Sequence, residues 1–327
     1  MRPVCVIGLG LIGGSVLRAA RAAGRSVWGA TASEQDAEAA VADGFAVADT
    51  VDDALVRAAG EDAIVVLAVP LPATETVLYK IAERAPHCLL TDVVSVKAPV
   101  LALVRRILPH VHYAGGHPMA GVAASGWIAG SATLFERAAW VVTAEPDTEL
   151  GTWREVARLA LDCGAQVVPT TAAEHDAAVA VVSHLPHVLA AVLAATGAEA
   201  GPLALSLAAG SFGDGTRVAG TRAELVLAMC EGNREQLLGA LDDALGKLGV
   251  ARGALASTGS LRATVRGGNL GRAELVRHKR GQRVRTKVDL AGPRALEELC
   301  LLGRRGGRII GLDGDLALAE LPEDDAR

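Results

Sequence analysis

His117 stands in AGGHPMAG, residues 114–121, behind two glycines and ahead of a proline. Glycine lets backbone approach closely and proline fixes φ, so this imidazole is held in place. A held imidazole, neutral near physiological pH, suits a general base. Ser95 and Lys97 stand in TDVVSVK, residues 91–97, where a hydroxyl could bond that imidazole or a substrate. A long Ala-rich stretch carries His175, Asp176, Ser183, His184 and His187. Steps of four from 175 to 187 drift slowly around a helix, so His175, Ser183 and His187 are expected on one face. Arg217 lies in the glycine-rich segment GSFGDGTRVAGT, which opens at Gly210 and reads as a loop. A guanidinium fork matches the two oxygens of a carboxylate. The His184/His187 pair has HxxH spacing, but no Asp, Glu or Cys completes a zinc pattern, and no metal is expected.

Gly8-Leu9-Gly10-Leu11-Ile12-Gly13 follows the apolar run PVCVI and opens GSVLRAA. The motif is weak alone, but a strand before it and a helix after it are the context that dinucleotide binding requires. The first glycine makes the turn, the second lets backbone reach a pyrophosphate, and the third lets helix pack on strand. The candidate cofactor contacts are Gly8, Gly10, Leu11, Ile12 and Gly13, with Thr31, Val69 and Ser95 further along. NAD enzymes usually carry an acidic residue about 20 residues past the motif. Thr31 stands there instead, with no arginine directly after it, so NAD and NADP both fit.

These groups need a scaffold. Strand-like runs fall at 3–7, 26–30, 63–69, 88–93, 112–115, 138–143 and 165–169, with helical stretches such as 14–23, 34–43 and 73–85 between them. Alternation with near-continuous apolar strands predicts a mostly parallel sheet covered on both faces. Ligands of such sheets bind beyond the carboxyl ends of the strands, which places Ser95, Lys97 and His117 on one rim. After Thr171 the pattern turns helical: 173–197 reads as one helix with Pro186 as a kink, and 222–250 as another. Three domains are expected: 1–171 dinucleotide-binding, 172–256 helical, and 257–327 a small mixed or β-rich appendage. From Arg262 to Arg294 there are ten Lys or Arg against two acidic residues, and an acidic tail follows. Every group assigned to chemistry precedes residue 250, so a chain ending near Leu255 is expected to keep its activity.

A length of 327 residues with 51% hydrophobic content allows a sizeable core, and a net charge of −5 gives no case for nucleic acid. Cys5, Cys88, Cys163, Cys230 and Cys300 are scattered without a CxxC pair, which reads as reduced, buried thiols in a cytoplasmic protein. The glycine-interrupted N-terminus reads as a strand and no signal peptide, and no membrane span is expected.

Taken together, VIGLGLIGGS, TDVVSVK, GGHPMAG, AEHDAAVAVVSHLPH, SFGDGTRVAGT and Asn233 in CEGNRE resemble the prephenate/arogenate dehydrogenase family of tyrosine biosynthesis, over about residues 1–250. The resemblance implies an α/β Rossmann-type domain plus an all-α dimerisation domain, with the small C-terminal appendage outside the match. It implies a homodimer, an active site between the two domains, and NAD(P)-dependent oxidative decarboxylation of prephenate, or of arogenate as the alternative. By motif, His117 would be catalytic with Ser95 its partner near the nicotinamide. His175, Ser183, His187 and Gly210 would line the substrate, and Arg217 would hold a carboxylate. Tyrosine is a possible feedback inhibitor. Val122 and Val226 replace a Thr and a Trp of some relatives, which bears on substrate preference. A 3-hydroxyacid dehydrogenase or imine reductase, or a non-catalytic NAD(P) sensor, would also pair a Rossmann domain with helices, but would not need GGHPMAG and SHLPH together.

Overall fold

The computed structural model describes residues 1–122 and 124–323. Residues 324–327 of the expected acidic tail lie outside the described residues. The chain divides into two units, Met1–His175 with the segment from Arg283 onward, and Asp176–Gln282.

The first unit opens with strands and helices in alternation: β1 (Val4–Ile7), α1 (Leu11–Ala22), β2 (Val27–Ala30), α2 (Glu34–Ala42), β3 (Ala46–Val47), α3 (Val51–Gly60), β4 (Ile64–Leu67), α4 (Leu71–Arg84), β5 (Leu89–Asp92), α5 (Ala98–Ile107) and β6 (His112–Tyr113). The six strands pair in parallel in the order β3-β2-β1-β4-β5-β6. β1 and β4 are buried along their whole length, because helices cover both faces of a parallel sheet. Local signals set the helix starts: Ser33 and Thr50 accept from the N–H groups of Asp36 and Asp53 to cap α2 and α3. Ile7 pairs with Leu67 and Leu67 with Asp92, so the carboxyl ends of β1, β4 and β5 are level.

A second sheet follows: β7 (Gly116–Pro118), β8 (Ala139–Thr143), α6 (Leu150–Asp162) and β9 (Gln166–Thr170). It is completed from the far end of the chain by β10 (Arg283–Asp289), α14 (Ala295–Arg304), β11 (Arg308–Asp313) and β12 (Leu316–Pro322), in the order β10-β12-β11-β9-β8-β7. The expected appendage at 257–327 is therefore drawn differently. Its strands belong to the first unit, where Ile309 pairs with Val167. Leu299, Cys300, Ile309 and Ala317 are buried in one cluster with Trp140, Trp153 and Val167. Gly303 lies so near β9 that a Cβ there would sit 1.8 Å from Pro169 O. Cutting at Leu255 would strip this layer and expose that core, so the expectation that such a chain stays active is withdrawn. Sequence pattern missed this because pairing between distant strands leaves no local mark.

The second unit is helical. α7 (Ala172–Val179), whose residues up to His175 belong to the first unit, runs into a wide π-helical turn at Ala180–His184 and then α8 (Leu185–Glu199). The Leu185 N–H bonds Ala180 O, five residues back. Pro186 stands in the first turn of α8, where a missing N–H costs least. The irregularity is thus a π turn just ahead of the proline, and a count in steps of four does not carry across it. α9 (Pro202–Ser206), α10 (Gly210–Thr216), α11 (Ala223–Gly232), α12 (Arg234–Thr258) and α13 (Arg262–Arg280) complete the unit. The expected glycine-rich loop at 210–221 is α10 followed by a 3₁₀ turn at Arg217–Gly220. α10 packs closely on α8: a Cβ at Gly215 of α10 would meet Leu193 at 2.9 Å, and one at Gly197 of α8 would meet Phe212 at 2.5 Å.

The continuous helix Ala172–Glu199 is long and apolar enough to cross a membrane by length and composition, with an 18-residue stretch of mean hydropathy 1.9, of which 22% is buried. The helix nonetheless carries His175, Asp176 and His184 buried.

Candidate active site

The glycine turn sits at the level carboxyl edge of the first sheet. Gly8 has φ +103°, open to glycine, and a Cβ there would lie 2.5 Å from Ala68 O and 3.2 Å from the Val69 side chain. A Cβ on Gly13 would lie 1.9 Å from Gly8 O, so the third glycine lets α1 close on the turn. Gly10 has nothing within 4 Å of such a Cβ, which leaves its backbone open toward a ligand. α1 starts there with no side-chain cap, and Leu11 and Ile12 are half-buried in its first turn. Uncapped N–H groups at a helix start suit a pyrophosphate, so these residues fit a dinucleotide. Thr31 follows β2, and its Oγ1 accepts from the Ser33 N–H at 3.3 Å. The acidic Asp36 further on is engaged elsewhere: its Oδ1 accepts from the Trp127 N–H at 2.7 Å.

His117 lies on β7 opposite Val141, inside a strand rather than in the loop after β6. The two glycines before it are demanded by crowding. A Cβ on Gly115 would lie 2.8 Å from the Tyr113 hydroxyl, and one on Gly116 would lie 2.5 Å from Asp92 O. The Gly115 N–H donates to Thr143 Oγ1 at 2.8 Å, which ties the strand to β8. His117 Nδ1 faces His175 Nε2 at 2.8 Å, with ring centroids 5.0 Å apart. His175 is buried near the start of α7, a helix pinned by Glu145, which accepts from the Ala172 N–H at 2.6 Å, and by Glu174, which accepts from the Thr171 N–H at 3.3 Å.

Ser95 is half-buried between β5 and α5. It is not the cap of α5, whose cap position is Lys97. Lys97, read as a rim residue, is wholly buried against Asp92. Tyr113 and Thr143 carried no signal of their own, because their partners Asp92 and Gly115 lie more than twenty residues off in sequence.

Ser183, His187, Gly210 and Arg217 fall in the helical unit. His187 Nδ1 faces Ser183 O at 2.9 Å, while His184 Nδ1 faces Asn233 Nδ2 at 3.2 Å, so the HxxH pair is divided between different partners. Asn233 Nδ2 also donates to Asp176 O at 2.7 Å. Gly210 and Arg217 are exposed. Among the described residues no group of three or more His, Cys, Asp or Glu could hold a metal. Burial pushes the thiols of Cys5, Cys88 and Cys163 up to about 12 and that of Cys300 to about 11, so none is a nucleophile near neutral pH. Cys230 is half-buried and raised by burial as well.

This arrangement defines a nucleotide-binding α/β unit joined to a helical unit. Residues 16–169 match the family model of the prephenate dehydrogenase nucleotide-binding domain, and residues 171–259 that of the prephenate dehydrogenase dimerization domain. The chain belongs to the prephenate dehydrogenase family. It is 32% identical over 248 residues to the Bacillus subtilis prephenate dehydrogenase, an overlap covering 73% of this chain but 66%, just under two thirds, of that relative's length. It is also 32% identical to the Zymomonas mobilis cyclohexadienyl dehydrogenase, over 78% of this chain and 88% of the relative. A Corynebacterium glutamicum crystal structure, provisionally assigned as a prephenate dehydrogenase, is 44% identical with a TM-score of 0.88, over 94% of this chain and 98% of that one.

Proposed function

We propose that this chain catalyses the oxidative decarboxylation of prephenate to 4-hydroxyphenylpyruvate, with NAD as hydride acceptor. The observation that carries this reading is the His117–His175 pair, one ring on β7 and the other on α7, in a chain whose first sheet carries a dinucleotide-type glycine turn. The names of the Bacillus and Zymomonas relatives support it. The second name also supports arogenate as an alternative substrate, since both compounds are cyclohexadienes that differ in a pyruvyl or alanyl side chain.

Gly8, Gly10, Leu11, Ile12 and Gly13 would hold the pyrophosphate, Thr31 a ribose, and Val69 and Ser95 the nicotinamide end. Bound NAD supplies the acceptor for the hydride that leaves C4 of the ring. With the Nδ1 proton of His117 donated to His175 Nε2, the other ring nitrogen, Nε2, presents its lone pair to the C4 hydroxyl and takes its proton. The lost proton and hydride leave a carbonyl-like C4, and CO₂ departs from C1 as the ring becomes aromatic. Arg217 binds a substrate carboxylate, and His175, Ser183, His187 and Gly210 line the substrate.

The active form is a homodimer in the cytoplasm. Exposed Val192, Leu193, Leu225, Leu227, Leu245 and Leu248 on α8, α11 and α12 suit burial against a second copy. Tyrosine, a molecule of the same shape as the products, is proposed as a feedback inhibitor. The test is a steady-state assay of prephenate and of arogenate, each with NAD and with NADP. Turnover of arogenate alone would select the alternative. Cofactor binding with no turnover of either would make the chain a sensor.

A further inference from the structure

Lys97 and Asp92 form an ion pair with both side chains wholly buried at the end of β5. Taking two charges out of water is costly, so such a pair asks what it holds. Asp92 is fixed on both oxygens: the Val94 N–H donates to Oδ1 at 2.8 Å and the Tyr113 hydroxyl to Oδ2 at 2.7 Å. The ammonium has a further partner. Lys97 Nζ donates to Gly116 O at 2.6 Å. That carbonyl belongs to the peptide unit leading into His117. The strand and the end of β5 also touch at backbone level, since a Cβ on Gly116 would come within 2.5 Å of Asp92 O.

A peptide unit is planar, so holding the Gly116 oxygen also holds the N and Cα of His117. Rotation of that plane would swing the imidazole about its own backbone. We infer that Lys97 is a positioning residue for His117, acting through the Gly116 carbonyl with Asp92 as its fixed counter-ion. The inference rests on the proposed role of His117 as base. Lys97 sets the near end of that side chain, and His175 sets the ring.

The test is a double-mutant cycle in the full-length protein. Lys97→Met should lower kcat about 10–100-fold, the scale expected when a reacting group is misplaced by about 1 Å. KM for the turned-over cyclohexadiene and the Kd for NAD should stay within about threefold, because the contacts that bind are intact. In a His117→Asn background, Lys97→Met should lower kcat by less than about twofold, since a residue that acts through His117 has nothing left to position. Multiplicative losses would show a general structural role and overturn the inference, as would wild-type kcat in Lys97→Met alone. Wild-type kcat in His117→Asn alone would instead overturn the base assignment. Lys97→Met leaves Asp92 without its counter-ion, so Asp92→Asn/Lys97→Met serves as the second variant, with both charges removed and an oxygen kept for the Val94 N–H. It should be folded by thermal unfolding and show the same 10–100-fold loss. A folded double variant with wild-type kcat would also overturn the inference.

Discussion

His117 Nδ1 and His175 Nε2 face each other at 2.8 Å with their rings inclined at 73°. One proton fits between these nitrogens and two do not. Protonating both rings would set N–H against N–H, so the pair works once one proton has left. kcat/KM should therefore rise with pH as the pair gives up its second proton.

His117→Asn should bind NAD normally and lose kcat by about 10²–10⁴-fold, the usual worth of a positioned base. Stopped-flow turnover and cofactor fluorescence separate the two effects. An Asn variant with near-wild-type kcat would remove His117 from the mechanism.

Arg217→Ala should raise KM for substrate by at least about tenfold while kcat changes little, because the proposed carboxylate contact would hold equally before and during hydride transfer. An unchanged KM would mean that the anchor lies elsewhere.

Thr31 stands where a carboxylate would read the ribose, and Asp36 is occupied with the Trp127 N–H. Discrimination between NAD and NADP should be modest. Thr31→Asp should sharpen it toward NAD by repelling the 2′-phosphate. Exclusion of NADP by several orders of magnitude in the wild type would point to another residue.

Glu174 links α7 to α14. Burial pushes its carboxyl up, but hydrogen bonds from Arg304 and Thr171 outweigh that and hold it below its ordinary value near 4.5. Its ionised form is thus favoured in the folded state. That stabilisation is complete above the unfolded value and lost as pH falls through the lower folded one. Glu174→Gln should lower Tm at pH 7, and the gap to wild type should shrink below about pH 4.5. A gap independent of pH would exclude the ion pair as its source.

Gly303→Ala should destabilise the first unit by about 1–3 kcal/mol, as overpacking does, because the new methyl meets backbone at Pro169 that cannot rotate away. Chemical denaturation measures it, and an unchanged midpoint would refute the packing of α14 on β9.

The parallel sheet and the glycine turn could be read from the sequence because they are written locally. Strand, turn and helix follow one another, and the glycines at 8 and 13 answer to contacts within a few dozen residues. The pairing of His117 with His175 could not be read, since it depends on β7 leaving the first sheet for a second. The face shared by His175, Ser183 and His187 was inferred from a uniform helix, and the π turn at Ala180–His184 breaks that count. Lys97 was read as a rim group because it follows the carboxyl end of a strand, where ligands of such sheets bind. The distant Gly116 carbonyl accepts from its ammonium, and Asp92 supplies the counter-charge for its burial. The C-terminal strands were set apart because a basic stretch looks like a boundary, whereas nine of its ten basic residues lie on α13 and on β10, the edge strand of the sheet.

The two parts of the second sheet have consequences for a nascent chain. A ribosome releases β7, β8 and β9 well before β10, β11 and β12, with the whole helical unit in between. Until the last strands emerge, β9 ends the sheet with an open edge, and the side chains around Val167 lack the cover of Ile309 and Leu299. The helical unit, continuous in sequence, is free to form first. Synthesis therefore passes through a stage with finished helices and an unfinished sheet, the state in which an unpaired strand is most exposed to wrong partners and to chaperone capture.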